Sequence, residues 1–308
     1  MTLTDLRYLV ALAETLHFGR AAAHAHVSQP TLSVAIRKLE EELGVALFER
    51  SANEVRLTDI GAEVVAQARR VLMEAAQVRE IADAGKDPLA APLKLGVIYT
   101  IGPYLLPRLV PILHKRAPRM SLAISENYTA RLTESLRAGA LDAIVIALPF
   151  DEPGIVTAPL YDEPFRVLLP RGHEWSRAKK IEAHQLAEQP MLLLGAGNCF
   201  RDQVLKVCPR LSAAQPLQKT FEGSSLETIR HMVASGAGIT VLPSGAADGL
   251  NSRLLEVKPF AAPEPHRRVA LAWRVTYPRH QAIDLLREAI QSADVPGTTP
   301  VKTRGRKS

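Results

Sequence analysis

Two cysteines are the only thiols in this 308-residue chain, and they lie close together: Cys199 and Cys208, in a segment that opens Gly197-Asn198-Cys199-Phe200-Arg201-Asp202-Gln203. Three fates are open to such a pair. Free cysteine commonly serves as a small buried hydrophobe. Zinc asks for closer-spaced pairs and about four ligands, and the nine histidines show no matching cluster, so no metal and no cofactor is expected. The third fate is redox chemistry, which needs a thiol that ionises near neutral pH, beside positive charge or at a helix N-terminus. Arg201 follows Cys199 by two residues, and Ala196-Gly197-Asn198 can deliver Cys199 to the start of a helix running from Phe200. Cys208 has Lys206 nearby but otherwise apolar Val204, Leu205 and Val207. If the pair is redox-active, Cys199 is the better nucleophile and Cys208 the better resolving partner.

Their spacing has a mechanical consequence. On one continuous helix the two residues stand ~13.5 Å apart along the axis and roughly half a turn out of phase. A disulfide needs Cα atoms ~4.4–6.8 Å apart. Bonding would therefore unwind a helix between them.

The rest of the chain must position this pair. A length of 308 residues exceeds one ordinary core, so two or three domains are expected. Hydrophobic residues at 47% with 23% charged residues exclude disorder and a membrane protein. No apolar run reaches the ~18 residues of a membrane helix, and Asp5, Arg7 and Glu14 interrupt any signal-peptide pattern. A cytoplasmic protein with no membrane contact is expected, a compartment where structural disulfides are rare. The net charge of +6 is not concentrated at the N-terminus. Residues 1–58 hold six basic residues (7, 20, 37, 38, 50, 56) against seven acidic ones (5, 14, 40, 41, 42, 49, 54). Part of the excess lies in the tail, at Lys302, Arg304, Arg306 and Lys307.

Pattern, not bulk charge, points to DNA. Leu3, Leu6, Leu9, Val10 and Ala13 mark a first helix, and Ala21, Ala22, Ala23 and Ala25 a short second one. After a turn at His26-Val27, Ser28 can cap a third helix that tolerates Pro30 in its first turn. That helix is expected to bury Leu32, Ile36, Leu39 and Leu43. Gln29, Pro30, Thr31, Ser33, Val34, Arg37 and Lys38 are left on its outer face, where polar groups can meet bases and phosphates in a major groove. Gly44 ends the helix. Ala46–Arg50 and Val55–Leu57 read as two strands around a Ser51-Ala52-Asn53-Glu54 turn, a wing, with Arg50 a further candidate DNA-binding residue. Thr58 opens a long fourth helix in which Val64, Ala68, Val71, Ala75, Val78 and Ala82 form a seam suited to a second copy of the chain.

These residues resemble the LysR-type transcriptional regulators. The likeness is dense over about sixty residues: Phe18-Gly19-Arg20-Ala21-Ala22, Val27-Ser28-Gln29-Pro30-Thr31-Leu32-Ser33, Ile36-Arg37-Lys38-Leu39-Glu40, Leu43-Gly44-Val45-Ala46-Leu47-Phe48-Glu49-Arg50, and Leu57-Thr58 with Gly61. The resemblance implies an N-terminal winged helix-turn-helix plus a long linker helix. It further implies a C-terminal two-lobed α/β effector domain similar to periplasmic binding proteins. The expected divisions are 1–58 for the DNA reader, 59–92 for the linker helix and hinge at Gly85–Pro88, 93–298 for the effector domain and 299–308 for a disordered basic tail. One departure is the wing turn, where many relatives carry a basic residue and this chain has Glu54.

Beyond the hinge, apolar runs alternate with helical patterns. Strands are expected at Leu93–Ile98, Leu122–Ser125, Leu141–Ala147, Met191–Leu194, Ile239–Leu242 and Val269–Trp273. Helices are expected at Leu105–Ala117, Leu132–Ala138 and Ala282–Ile290. This alternation predicts a mainly parallel sheet. The resemblance adds a crossing to the second lobe near Glu163 and a return near Arg268.

The cysteine segment resembles the peroxide-sensing branch of the same family. So do Thr100-x-Gly102-Pro103-Tyr104-Leu105-Leu106-Pro107, Ser225-Leu226-Glu227-Thr228 and Gly236-x-Gly238-Ile239-Thr240. The resemblance implies that hydrogen peroxide oxidises Cys199 and that Cys208 captures it as a reversible disulfide. It places Thr100, Thr129, Asn198, Arg201 and Asp202 around the peroxide. It also implies double-stranded DNA as a partner, self-association as dimer or tetramer, contact with RNA polymerase, and reduction by cellular thiol systems. Asn198 stands where many relatives have histidine, and it cannot carry a proton at neutral pH. The competing expectation within the family is a regulator that senses a small metabolite in its cleft, the cysteines being incidental. The DNA reader argues against a dedicated enzyme.

Overall fold

The computed structural model describes residues 1–50, 55–84, 89–213, 222–223, 225–250 and 252–301. The expected wing turn at 51–54, the hinge at 85–88 and the end of the basic tail lie outside them. The chain divides into two compact units, Met1–Gly85 with Arg137–Gly139, and Lys86–Leu136 with Ala140–Ser308.

The first unit opens with α1 (Leu3–Thr15), α2 (Phe18–His24) and α3 (Gln29–Leu43). Each start is fixed by a side chain. Thr2 and Asp5 form a reciprocal capping box, the His17 ring accepts the Gly19 and Arg20 amides, and Ser28 Oγ accepts the Thr31 amide. Gly44 ends α3 at φ +71°, donating its N–H to the Glu40 carbonyl. Leu32, Ile36 and Leu39 are fully buried among Leu6, Leu9 and Leu12 of α1, each contributing roughly 1.5–3 kcal/mol. Leu43, expected in that core, is 38% exposed; it sits in the last turn, at the very end of α3.

Strands β1 (Phe48–Arg50) and β2 (Val55–Leu57) pair antiparallel, in register Phe48 to Leu57. The Glu40 carboxylate fixes their base by accepting the Leu47 and Phe48 amides. Thr58 Oγ1 accepts the Gly61 amide at the start of α4 (Asp59–Ala84) and donates to the Ala46 carbonyl. Gly61 packs so closely that a Cβ there would lie 2.2 Å from the Leu47 carbonyl oxygen. Along α4, Ala68 is buried within the unit, whereas Val71, Val78 and Ala82 are exposed.

The second unit holds β3 (Leu93–Ile98), α5 (Gly102–Arg116), β4 (Leu122–Asn127), α6 (Thr129–Arg137), β5 (Ala143–Ala147) and the long β6 (Ile155–Pro170). Then come two 3-10 turns, β7 (Leu193–Leu194), α7 (Cys199–Val207), α8 (Arg210–Ala213), β8 (Glu222–Gly223), α9 (Leu226–Ala234), β9 (Thr240–Pro243) and α10 (Ser244–Ala247). It closes with β10 (Leu255–Pro259), β11 (His266–Arg274), α11 (His280–Gln291) and β12 (Thr299–Pro300).

The main sheet runs β10-β6-β11-β5-β3-β4, with β9 and β12 also on β6. Thr299 and Pro300, expected in a disordered tail, are thus ordered, because they add an edge pairing to Asp162 and Tyr161 of β6. Only β3, β4 and β5 are mutually parallel; β6, β9, β10, β11 and β12 join antiparallel. The sheet is thus mixed, not mainly parallel, because two long strands carry the chain between lobes. Residues up to Tyr161 and from Val269 build one core, and those from Phe165 to Phe260 build the other. Strand β6 leaves the first lobe and β11 returns to it, with Arg267 paired to Glu163, where the expected crossing lies. Among the described residues no helix is long and apolar enough to cross a membrane.

Candidate functional site: a thiol, a small cavity and an exposed helix

The thiol site begins at the ends of two neighbouring parallel strands. In the β3–β4 register Ile98 stands beside Asn127. The chain then carries Tyr99 and Thr100 from one strand, and Tyr128 and Thr129 from the other, to the same place. Across from them, Gly197 turns at φ +90° and Asn198 becomes the N-cap of α7. That left-handed turn, which glycine adopts without steric cost, puts Cys199 at the first position of the helix. The amides there have no helical acceptors and face outward.

These segments enclose a cavity lined by Ile98, Tyr99, Thr100, Asn127, Tyr128, Thr129, Gly197, Asn198 and Cys199. It leaves ≈ 10 Å³ for the centre of a water-sized molecule, room for about one. Of the pocket expected from sequence, Thr100, Thr129, Asn198 and Cys199 come together here. Arg201 and Asp202 are not among the residues that line it, and Arg201 donates to the Leu194 carbonyl at 2.7 Å. Asn198 is buried and donates Nδ2 to the Gly195 carbonyl at 3.2 Å, so it fixes the loop before α7.

An unexpected residue completes the site. Arg267, on β11, donates to Thr100 Oγ1 and to the Thr100 carbonyl, each at 2.8 Å, and to Glu163 Oε2 at 2.7 Å. Its side chain is 0% exposed and that of Glu163 3%. Glu163 Oε1 in turn accepts the Gly245 amide, and the guanidinium lies 5.3 Å from the centre of the Phe200 ring. Because Thr100 Oγ1 accepts from Arg267, its own proton is available to a guest in the cavity. Charged residues on buried strand positions, as at Glu163 and Arg267, were the sequence signal that could have found this pair.

Cys199 is half-buried and packs against the first lobe's core. Cys208 caps the far end of α7, 2% exposed in the second lobe's core. Both are free thiols at opposite ends of one helix. Among the described residues no group of three or more histidine, cysteine or carboxylate side chains could hold a metal.

In the first unit, α3 presents Gln29, Pro30, Thr31, Val34, Arg37 and Lys38 to solvent, with Ser33 half-exposed. Val34, 65% exposed, is an apolar group left uncovered on this face. Arg50 ends β1; its side chain lies outside the described residues.

Two family profiles match the chain, "Bacterial regulatory helix-turn-helix protein, lysR family" at residues 3–62 and "LysR substrate binding domain" at 86–294. The chain belongs to the LysR family of bacterial transcriptional regulators. Within that family it is similar to OxyR. It is 41% identical over 293 residues, 95% of each chain, to the "DNA-binding transcriptional dual regulator OxyR" of Escherichia coli strain K12. It is 38% identical to the "Hydrogen peroxide-inducible genes activator" of Haemophilus influenzae, over 94% of this chain and 96% of the relative. A full-length OxyR variant from Pseudomonas aeruginosa is 54% identical with a TM-score of 0.78, covering 98% of this chain and 99% of its own. An H2O2-bound OxyR variant from Corynebacterium glutamicum is 33% identical with a TM-score of 0.64, covering 95% and 92%.

Proposed function

We propose that this chain is a DNA-binding regulator that senses hydrogen peroxide through reversible formation of a Cys199–Cys208 disulfide. The observation that carries the reading is the cavity with room for one small molecule, bounded by Cys199 and the Thr100 hydroxyl. The names of the relatives support the same oxidant. In the first step the Cys199 thiolate attacks one peroxide oxygen. An S–O bond forms, the O–O bond breaks, and its electron pair leaves on the second oxygen, which takes a proton to become water. Thr100 and Thr129 hold the peroxide, with Arg267 fixing the Thr100 hydroxyl. In the second step the Cys208 sulfur displaces the sulfenic hydroxyl as water, leaving a disulfide. Arg201 and Asp202 act on the position of α7 and not on the peroxide directly.

The two cysteines cannot meet while α7 is intact, so oxidation refolds this segment and alters how copies of the chain pack. Residues 1–58 read DNA through Gln29, Pro30, Thr31, Ser33, Val34, Arg37, Lys38 and Arg50. Residues 59–92 join two chains through the seam on α4, residues 93–298 sense, and a basic tail follows β12. The protein works in the cytoplasm as a dimer or tetramer, contacts RNA polymerase, and is reset by cellular thiol reductants.

The test is a brief stoichiometric peroxide pulse followed by alkylation, intact mass and a peptide map. A loss of two hydrogens mapped to a Cys199–Cys208 crosslink is expected. Two thiols that stay free and alkylatable would leave a metabolite sensor as the better reading.

A further inference from the structure

We propose that Tyr99 and Tyr128 form an aromatic gate over the Cys199 cavity, admitting hydrogen peroxide and turning away organic hydroperoxides. This rests on the peroxide reading above and adds its selectivity. Both tyrosines line the cavity, and both also reach solvent, at 41% and 38% exposure. They therefore span the boundary between the reacting thiol and the outside. Each follows the last paired residue of its strand, Ile98 or Asn127, so the parallel register sets one ring beside the other. The rings meet edge to face, centroids 5.4 Å apart and planes at 79°. That geometry is favourable for two aromatic rings and holds the pair together.

The chemistry decides which side of the peroxide meets the gate. Cys199 sulfur attacks the terminal oxygen of HO–OR, forming S–O as O–O breaks. The electron pair departs on the oxygen bearing R, which is protonated by water to ROH. R must therefore extend away from the sulfur, out of a cavity that holds about one water-sized molecule. When R is hydrogen only one O–H lies beyond the attacked oxygen. When R is tert-butyl, four carbons must occupy the mouth, where the two rings stand.

The experiment compares wild type with Tyr99→Ala, Tyr128→Ala and the double variant as full-length reduced protein. The rate of thiol loss is followed with hydrogen peroxide and, separately, with tert-butyl hydroperoxide. Removing the rings should raise the tert-butyl hydroperoxide rate about tenfold or more, the scale on which a pocket discriminates by a few carbons. The hydrogen peroxide rate should change by less than about threefold, since Thr100, Thr129 and Cys199 remain. Each single variant removes one side of the gate and gives the same test if the double variant does not fold. Tyr128→Phe, which keeps the ring, should retain wild-type selectivity. An unchanged ratio of the two rates in folded Ala variants would overturn the gate alone. Wild-type protein inert to hydrogen peroxide would overturn the peroxide reading, and the gate with it.

Discussion

Arg267→Met tests the part of the site that sequence reasoning did not supply. Arg267 and Glu163 are 0% and 3% exposed, and three hydrogen bonds of 2.7–2.8 Å leave the guanidinium. Removing it strands the Glu163 carboxylate in the boundary between two cores, with the Gly245 amide at 2.9 Å still donating to it. Breaking such a buried pair from one side costs about 3–5 kcal/mol, because an uncompensated charge remains. The loss should be read by denaturant titration of the full chain. Both tryptophans, Trp175 and Trp273, lie in the second unit, so their fluorescence reports that unit's unfolding.

Adding Glu163→Gln to Arg267→Met removes the stranded charge, so the double variant should cost about 1–3 kcal/mol less than the two single substitutions summed, the usual size of a coupling between contacting residues. Arg267→Lys keeps the charge but not the planar fork that reaches both Thr100 and Glu163, and should fall between wild type and the Met variant. An Arg267→Met cost below ~1 kcal/mol, or strict additivity of the two substitutions, would refute the reasoning: the pair would then be a solvated contact of ordinary surface value.

Two further outcomes follow from the packing. Gly61→Ala should destabilise the first unit by about 1–3 kcal/mol despite the better helix propensity of alanine, since its Cβ meets the Leu47 carbonyl oxygen at 2.2 Å. Far-UV circular dichroism and DNA affinity would both fall; unchanged melting would dismiss the close approach. Asp142 is 3% exposed, and burial raises its carboxyl above the ordinary carboxylate range, although the Lys94 amide donates to it at 2.7 Å. A folded pKa above the unfolded one means that the group's contribution is fully present below the unfolded pKa. It is then lost as pH rises through the folded value. Asp142→Asn, which can still accept the Lys94 amide, should therefore lose less stability than wild type as pH rises from the ordinary carboxylate range through the raised folded value. Parallel stability curves for the two proteins would contradict this.

Much of this architecture was legible because its signals are local. Ser28, Pro30 and Gly44 mark the two ends of α3, and Leu32, Ile36 and Leu39 mark its buried side. Val97, Ile144 and Val145 sit in continuous apolar runs, as strands buried on both faces require. Strand β6 was not legible. Its sequence carries Pro159, Pro164, Asp162, Glu163 and Arg166, which read against a strand, yet it runs sixteen residues because it serves two cores in succession. The thiol site divided the same way. Cys199, Asn198, Thr100 and Thr129 could be placed from motif and strand ends. Arg267 reaches Thr100 across 167 positions of sequence, a contact created only by the β6–β11 register. The family resemblance implied Arg201 at the pocket, but a helix sends residues two apart to different faces, and Arg201 bonds the Leu194 carbonyl instead.

The position of α7 bears on why a disulfide between its ends would be reversible. Phe200 and Val204 anchor the helix in the second core, Phe200 edge-on to Phe165 at 5.1 Å, while Cys199 rests against the first. Drawing the cysteines from ~13.5 Å apart to the ~4.4–6.8 Å a disulfide requires must break the helix between them and dislodge at least one anchor. Burial of each anchor is worth roughly 1.5–3 kcal/mol. At about 30 mV per 1.4 kcal/mol, giving up one would make the pair more oxidising than an unstrained disulfide by roughly 30–65 mV, and giving up both by roughly 60–130 mV. On the proposed switch, the packing that keeps the thiols apart would also keep their bond within reach of cellular reductants. In that account Phe200 and Val204 set the reset of the switch, and Cys199 with its cavity sets the trigger.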